Sequence, residues 1–274
     1  MLSLTQNIDY HAGYAVTRTG EARRPLPFLV SSMLGGAFIG LADVFMLTAA
    51  GPFREAGDPW FSLISGAVFG MGLILCVFAG GELATSAMMV FAVGAVRRTI
   101  TWARAGGVLL FMLLGNLLGA VVLSLLVHWA GVVEPGTAAG AFVEYAVHHK
   151  GVDYSVLEML TRGILCNILV CLAIWWTTRS TSEGSKIIAM AWCMAAFVTC
   201  GFEHVVANMT TFSLGLLEGY EAATLVNAAR NLLVVGLGNV VGGAVFVGCA
   251  YLVAHKAEEG ADEARVEAGL PVAH

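Results

Sequence analysis

Six apolar stretches follow one another along the chain, at residues 28–50, 60–96, 104–131, 156–178, 187–217 and 222–254, with short polar links between them. A helix needs about 20 mainly apolar residues to cross a bilayer, and each stretch is at least that long. The alternating ten-residue segments of a membrane barrel are absent. The pattern therefore predicts an all-α membrane protein with six transmembrane helices. Residues 1–27 are read as a cytoplasmic N-terminal segment, 28–254 as the membrane domain and 255–274 as an acidic cytoplasmic tail. Residues 1–20 are largely polar and lack an apolar core followed by a cleavage site, so no signal peptide is expected.

Two stretches resemble each other across the chain. AGGELATSAMM at 79–89 aligns with CGFEHVVANMT at 200–210, pairing Glu82 with Glu203 and Met88 with Met209 at an offset of 121. GNLLGAVV at 115–122 aligns with GNVVGGAV at 238–245 at an offset of 123. Two independent matches at nearly one offset predict half repeats, 28–131 and 156–254, of three helices each. An odd number of spans per half turns the second half over, giving an inverted repeat. Working sites in such proteins lie near the midplane, where corresponding helices break. The second stretch, 37 residues long, is too long for one straight span. Gly80, Gly81 and Gly201 give the backbone freedom to leave the helix, so breaks are expected in helices 2 and 5. The GxxxG spacings Gly115/Gly119 and Gly238/Gly242 predict close helix packing. Asn116 and Asn239 are expected to bond between helices or to the freed backbone of the breaks.

Composition agrees with the pattern. The chain of 274 residues is 58% hydrophobic and 12% charged, where a soluble domain carries roughly 25% charged residues. Ten Lys and Arg fall on one side of the expected spans and four on the other, which puts both termini in the cytoplasm. The net charge of −5 comes partly from the tail, and no basic cluster points to nucleic acid. The six cysteines all lie in apolar stretches without metal spacing and are read as small buried hydrophobes. No cofactor and no metal are expected.

Ionisable residues at mid-depth are costly, at least roughly 2.5–3.5 kcal/mol on insertion scales, and face a bundle interior or an aqueous cavity. His204 is the candidate pathway residue: neutral, it donates a hydrogen bond to an anion; charged, it carries a proton. Glu203 and Glu82 are candidate anchors, accepting from backbone N–H groups freed by the breaks, with Asn208 beside them. Thr85 and Ser86 are expected to cap the second half of helix 2. Half-helix N-termini aimed at a shared cavity favour an anion. Asp43 is expected to pair with a break or line an entrance. His128 beside Trp129 reads as an interfacial residue.

GFEHVVANM (201–209), RGILCNILVCLAIW (162–175), GLILCVFAGGELATS (72–86) and LGNVVGGAVF (237–246) resemble the formate/nitrite transporter family. The resemblance implies an aquaporin-like six-helix protomer with its own pore, assembled as a homopentamer in the plasma (inner) membrane. It implies a pathway through His204, Thr85, Asn167 and Lys150, with Lys150 in an outer loop attracting anions. It implies constrictions at Leu73 and Leu83 towards the cytoplasm and at Phe69 and Phe197 towards the outside. Gly81 and Gly201 belong to the breaks with Glu82, Glu203 and Asn208. Where formate channels commonly carry an aromatic residue before the loop threonine, this chain has Ala84, and CNILVCLAIW and ANMTTFSL look more like the nitrite branch. The implied function is transport of a small weak-acid anion, most of all nitrite, with formate and hydrosulfide as alternatives. The protein is not expected to be an enzyme.

The sequence argues against two other classes. A haem-holding redox subunit needs paired axial ligands, and His204 has no histidine partner in an apolar stretch at its depth. A water channel of aquaporin type would carry paired Asn-Pro-Ala signatures, which residues 207–208, Ala-Asn, do not continue.

Overall fold

The computed structural model of the protein describes residues 1–256; of the tail read as 255–274, all but His255 and Lys256 lies outside the described residues. Among them the regular structure is all helical. The helices are α1 (Leu4–Glu21), α2 (Pro25–Glu55), α3 (Phe61–Phe69), α4 (Met71–Leu75), α5 (Ala84–Val96), α6 (Trp102–Trp129), α7 (Ala138–His148), α8 (Val156–Arg179), α9 (Glu183–Thr199), α10 (Val205–Leu217) and α11 (Leu225–Val241). Wider, π-type turns follow α4 at Cys76–Gly80, α7 at His149–Asp153 and α11 at Gly242–Cys249.

Among the described residues, five helical runs are long and apolar enough to cross a membrane: Pro25–Glu55, Phe61–Gly80, Trp102–Trp129, Val156–Arg179 and Leu225–Lys256. Two shorter apolar helices, Ala84–Val96 and Val205–Leu217, are the pieces that follow chain breaks. Their interior and exterior are reversed relative to a soluble protein. Leu110, Leu114, Leu118, Val122 and Leu126 form an exposed apolar row along α6 at spacings of four, which suits contact with lipid or another subunit. Buried polar side chains instead gather inside: Thr85, Asn116, Asn167, Glu203, His204, Asn208, Asn231 and Asn239 are each 2% exposed or less.

The glycine motifs set the spacing of the long helices. A Cβ on Gly119 would run into the main chain of Met33, so α6 lies directly on α2. A Cβ on Gly242 would run into the main chain of Ile164, which brings the end of α11 onto α8. Helix-on-helix contact of this kind needs the missing side chain.

Helix α1 is a structural part of the bundle. Ser3 and Gln6 close a capping box at its start. Asn7 donates to the carbonyl of Trp175 at 3.3 Å and accepts from the Thr178 hydroxyl at 2.6 Å, which ties α1 to the end of α8. Of the cysteines, Cys200 is exposed at the second break, contrary to the uniform buried reading, because the chain turns there on leaving α9. His128 also departs from the bland reading: its Nδ1 lies 2.8 Å from the Glu218 carboxylate.

Candidate functional site

Among the described residues, the chain breaks inside the second and fifth apolar stretches. Gly80, the last residue of the π-type turn, takes φ +86, and Leu83 is extended at the N-terminus of α5. After α9, Gly201 takes φ +68, a conformation that costs L residues with a Cβ, and His204 is extended at the N-terminus of α10.

The same set of hydrogen bonds holds both breaks. Asn116 accepts from the N–H of Ala84 at 3.0 Å and donates to the carbonyls of Glu82 and Ser32, both at 2.7 Å. Asn239 accepts from the N–H of Val205 at 2.9 Å and donates to the carbonyls of Glu203 at 2.9 Å and Gly163 at 2.7 Å. Main-chain bonds match as well: Glu82 N–H donates to Ser31, and Glu203 N–H donates to Arg162. The two asparagines therefore supply the partners that the broken helices lack.

This arrangement corrects two expectations. Thr85 and Ser86 do not cap α5. The cap position is Leu83, the helix start is held by Asn116, and the Ser86 hydroxyl donates back to the Leu83 carbonyl. Glu82 and Glu203 do not gather backbone N–H groups with their carboxylates. With the asparagines occupying that place, the carboxylates turn to cations: Glu82 to Arg18 at 2.9 Å and Glu203 to Lys150 at 2.6 Å. Asn208 donates to the other Glu203 oxygen at 2.6 Å and to Asn231 at 2.7 Å, and Asn231 donates to the carbonyl of Lys150.

His204 and Thr85 meet between the two breaks, Nε2 to Oγ1, at 3.0 Å. The N–H of Ala207 donates to His204 Nδ1 at 3.1 Å, so the imidazole serves as the cap of α10. A nitrogen that accepts carries no proton, which places the proton of the neutral ring on Nε2. Nε2–H then donates to Thr85 Oγ1, leaving the Thr85 hydroxyl proton for an incoming acceptor. The ring lies against Phe197, with centroids 5.9 Å apart, and Phe197 meets Phe69 edge-on at 5.5 Å.

Two cavities lie about the pair; His204 lines the second, and the buried Thr85 lines neither. The first, about 400 Å³, is walled by Leu73, Cys76, Glu82 and Leu83 and by Tyr10, Tyr14 and Arg18 of α1. The second, about 290 Å³, is walled by Asp43, Phe69, Lys150, Phe197, Glu203 and His204, among others. Phe69 and Leu73 stand one helical turn apart and face different cavities. Thus Leu73 and Leu83 belong to one side of the His204–Thr85 pair, and Phe69 and Phe197 to the other. Asn167 lies in neither wall. Its amide donates to the carbonyls of Thr85 at 3.0 Å and Asn239 at 2.7 Å, joining α5 to α11, while its Oδ1 is buried without a hydrogen-bond partner. Gly81 packs on the backbone of Gly35 at the first break.

Lys150 is not a free cation in a loop. It sits in the π-type turn after α7 with its ammonium on Glu203, inside the second cavity. Asp43 lines that cavity as well, accepting from the Thr211 hydroxyl at 2.9 Å, and does not pair with a break. Sequence reasoning missed α1 as a wall of the first cavity, and with it Arg18, whose guanidinium lies 4.5 Å from the centre of the Tyr14 ring. It also missed Arg162, which donates to the Gly201 carbonyl at 2.6 Å and lies over Tyr154.

A chain with two broken apolar helices, two cavities and a histidine–threonine pair between them belongs to the class of membrane channels and transporters. Comparison with known proteins places it more closely. The sequence model of the family described as formate/nitrite transporter matches residues 10–253. The chain belongs to that family. It is 37% identical over 234 residues to the nitrite transporter NirC of Escherichia coli (strain K12), covering 84% of each chain. It is 33% identical over 257 residues to the formate channel FocA of the same strain, covering 86% of this chain and 89% of that one. Among solved structures, an FNT family ion channel superposes with a TM-score of 0.86 at 36% identity, covering 91% of this chain and 99% of that one. A pentameric formate channel with formate bound superposes with a TM-score of 0.72 at 29% identity, covering 85% and 98%.

Proposed function

We propose that the protein is a channel for small monovalent anions of weak acids, with nitrite as its principal substrate and formate or hydrosulfide as the alternatives. Its role is transport and not catalysis. The single observation that carries the reading is the His204–Thr85 pair, a neutral hydrogen-bond donor set between two cavities. The resemblance to nitrite transporters and Ala84 before Thr85 favour nitrite within the class.

Six spans are proposed. Phe61–Gly80 with Ala84–Val96 makes one broken span and Glu183–Thr199 with Val205–Leu217 another, beside the four long helices. The matched bonds of Asn116 and Asn239 support an inverted repeat of three helices. The proposed membrane is the plasma (inner) membrane, with both termini cytoplasmic and 1–27, 28–254 and 255–274 as N-terminal segment, channel domain and tail. The second cavity then faces outward and the first inward. A homopentamer with one pore per protomer follows from the likeness to a pentameric relative.

Stripping water from a small anion costs on the order of 20 kcal/mol in an idealised apolar medium. The rings Phe69/Phe197 and Leu73/Leu83 impose that cost on either side of His204. A proton on the anion removes most of it. His204 and Thr85 then hold the substrate in the dry segment, with the Thr85 hydroxyl donating. A relay through a charged imidazolium would need a proton on Nδ1, which would displace the Ala207 N–H, so the neutral-donor version is the better supported of the two. Asn167 braces the backbone behind Thr85, and Lys150 with Glu203 shapes the outer cavity. The test is flux into proteoliposomes of nitrite, formate and hydrosulfide at two pH values. Nitrite flux above that of formate supports the assignment; formate equal to or above nitrite leaves only the weak-acid anion class.

A further inference from the structure

Asp43 has no task in the function proposed above. It lies within membrane helix α2, 2% exposed, with its carboxyl in the wall of the second cavity. Its Oδ2 accepts the Thr211 hydroxyl at 2.9 Å. Among the described residues no cation stands within ion-pair distance of it. The other titratable groups of this wall are Lys150, Glu203, His204, His149, Tyr145, Tyr154 and the thiol of Cys200. Lys150 is bound to Glu203, and His149 Nδ1 lies on the carboxylate of Asp153. With Lys150 and Glu203 cancelling each other, Asp43 adds one negative charge to the wall when ionised and none when protonated.

An anion beside an ionised Asp43 meets a like charge in a cavity bounded by phenylalanines, where little water screens it. Beside a protonated Asp43 it meets an O–H donor. The carboxyl is also one-sided. The position related to Asp43 as Gly163 is to Ser32 in the asparagine clamps is Ile174, which lines the first cavity.

We propose that Asp43 is a proton-carrying residue of the second cavity, which protonates the anion before it reaches His204. The inference rests on the weak-acid anion reading. In the step, the O–H bond of the Asp43 carboxyl breaks and an O–H bond forms on the anion (S–H for hydrosulfide). The electron pair stays on the carboxylate, whose Oδ2 is held by the Thr211 hydroxyl. Hydronium reaching the open side of the cavity returns a proton to the carboxylate and leaves as water, so one proton enters with each anion.

The test is nitrite uptake into proteoliposomes holding an internal pH dye, at external pH 5.5 to 7.5, with protein-free vesicles subtracted. Wild-type protein is expected to take up protons and nitrite one for one, with flux rising as pH falls. Asp43→Asn keeps the size and the acceptor for Thr211 but carries no proton; its nitrite flux is expected to lose the rise at low pH and the accompanying proton. Asp43→Glu is expected to restore both. Thr211→Val removes a donor to the carboxylate, favours the protonated form, and is expected to move the midpoint of the pH profile upward by about one unit. A wild-type pH profile and one-for-one proton uptake in Asp43→Asn would overturn the proposal. If Asp43→Asn does not fold, an unmoved midpoint in Thr211→Val overturns it instead. Wild-type protein that passes none of the three anions would sink the underlying reading itself, an outcome visible before any variant is made.

Discussion

Lys150 Nζ and Glu203 Oε1 lie 2.6 Å apart, inside the cavity that opens on His204. The side chain of Glu203 is 3% exposed and that of Lys150 is 21% exposed, so the carboxylate depends on this ammonium for compensation. Removing one partner of a buried pair costs about 3–5 kcal/mol, and the residual exposure of Lys150 puts this case at the lower end. Lys150→Ala is therefore expected to lower the thermal unfolding midpoint clearly, while Lys150→Met combined with Glu203→Gln recovers much of the loss. Melting of the detergent-purified protein checks it. An unchanged midpoint in Lys150→Ala would return Lys150 to the role of a free attractor.

Asparagine at position 204 separates the two jobs of the histidine. Its side-chain oxygen is a good helix cap and can accept the Ala207 N–H in place of Nδ1. It does not reproduce the Nε2–H donated to Thr85. The expected outcome for His204→Asn is a folded protein with nitrite flux reduced by about tenfold, the effect of roughly 1.4 kcal/mol. The residual flux keeps its pH profile if His204 acts as a neutral donor. A flattened profile in this variant would revive the imidazolium relay, and nitrite flux into proteoliposomes across the pH range distinguishes the two.

The positions of the breaks were legible because similar stretches mark them twice: the Gly–Glu stretches at 81–82 and 201–203, and the Gly–Asn pairs at 115–116 and 238–239. The bracing role of the asparagines could be read for the same reason. What the carboxylates do could not. A glutamate beside a break has both freed N–H groups and distant cations within conceivable reach, and only packing decides. Arg18 reaches Glu82 because α1 folds under the bundle, and nothing in the local polarity of residues 4–21 announces that docking. Lys150 looked like a loop residue since its partner is 53 positions away. Asp43 was visible as an isolated charge, but its cavity is made by α2, α3, α7, α9 and α10 together.

The two clamps yield a paired prediction. Asn116→Leu and Asn239→Leu each remove an acceptor from a helix start and a donor shared by two carbonyls. Leaving a buried backbone group unpaired costs about 1–3 kcal/mol. Because the two bond sets are the same, the two variants are expected to lower the unfolding midpoint by similar amounts. They also displace the adjoining cap, Leu83 in one case and His204 in the other. A variant that melts like wild type would show that water or another side chain replaces the clamp there.

Helix α1 is held by a group that changes charge in a useful range. His11 is 1% exposed, stacks on Trp175 at 5.0 Å and has its Nε2 3.2 Å from the Thr178 hydroxyl. Burial pushes its pKa down from 6.5 to about 4. The docked state therefore favours the neutral ring, and undocking lets it take up a proton. Docking is complete above the ordinary pKa near 6.5 and weakens as pH falls from there towards 4. The expected observation is faster hydrogen–deuterium exchange in residues 4–21 at pH 5 than at pH 7.5, after correction for intrinsic exchange rates. His11→Phe keeps the stack on Trp175 but has no proton to gain, so its exchange in α1 should not change over that range. The same pH response in wild type and His11→Phe would assign the loosening to another contact, with the ion pair of Arg97 and Asp9 the next to test.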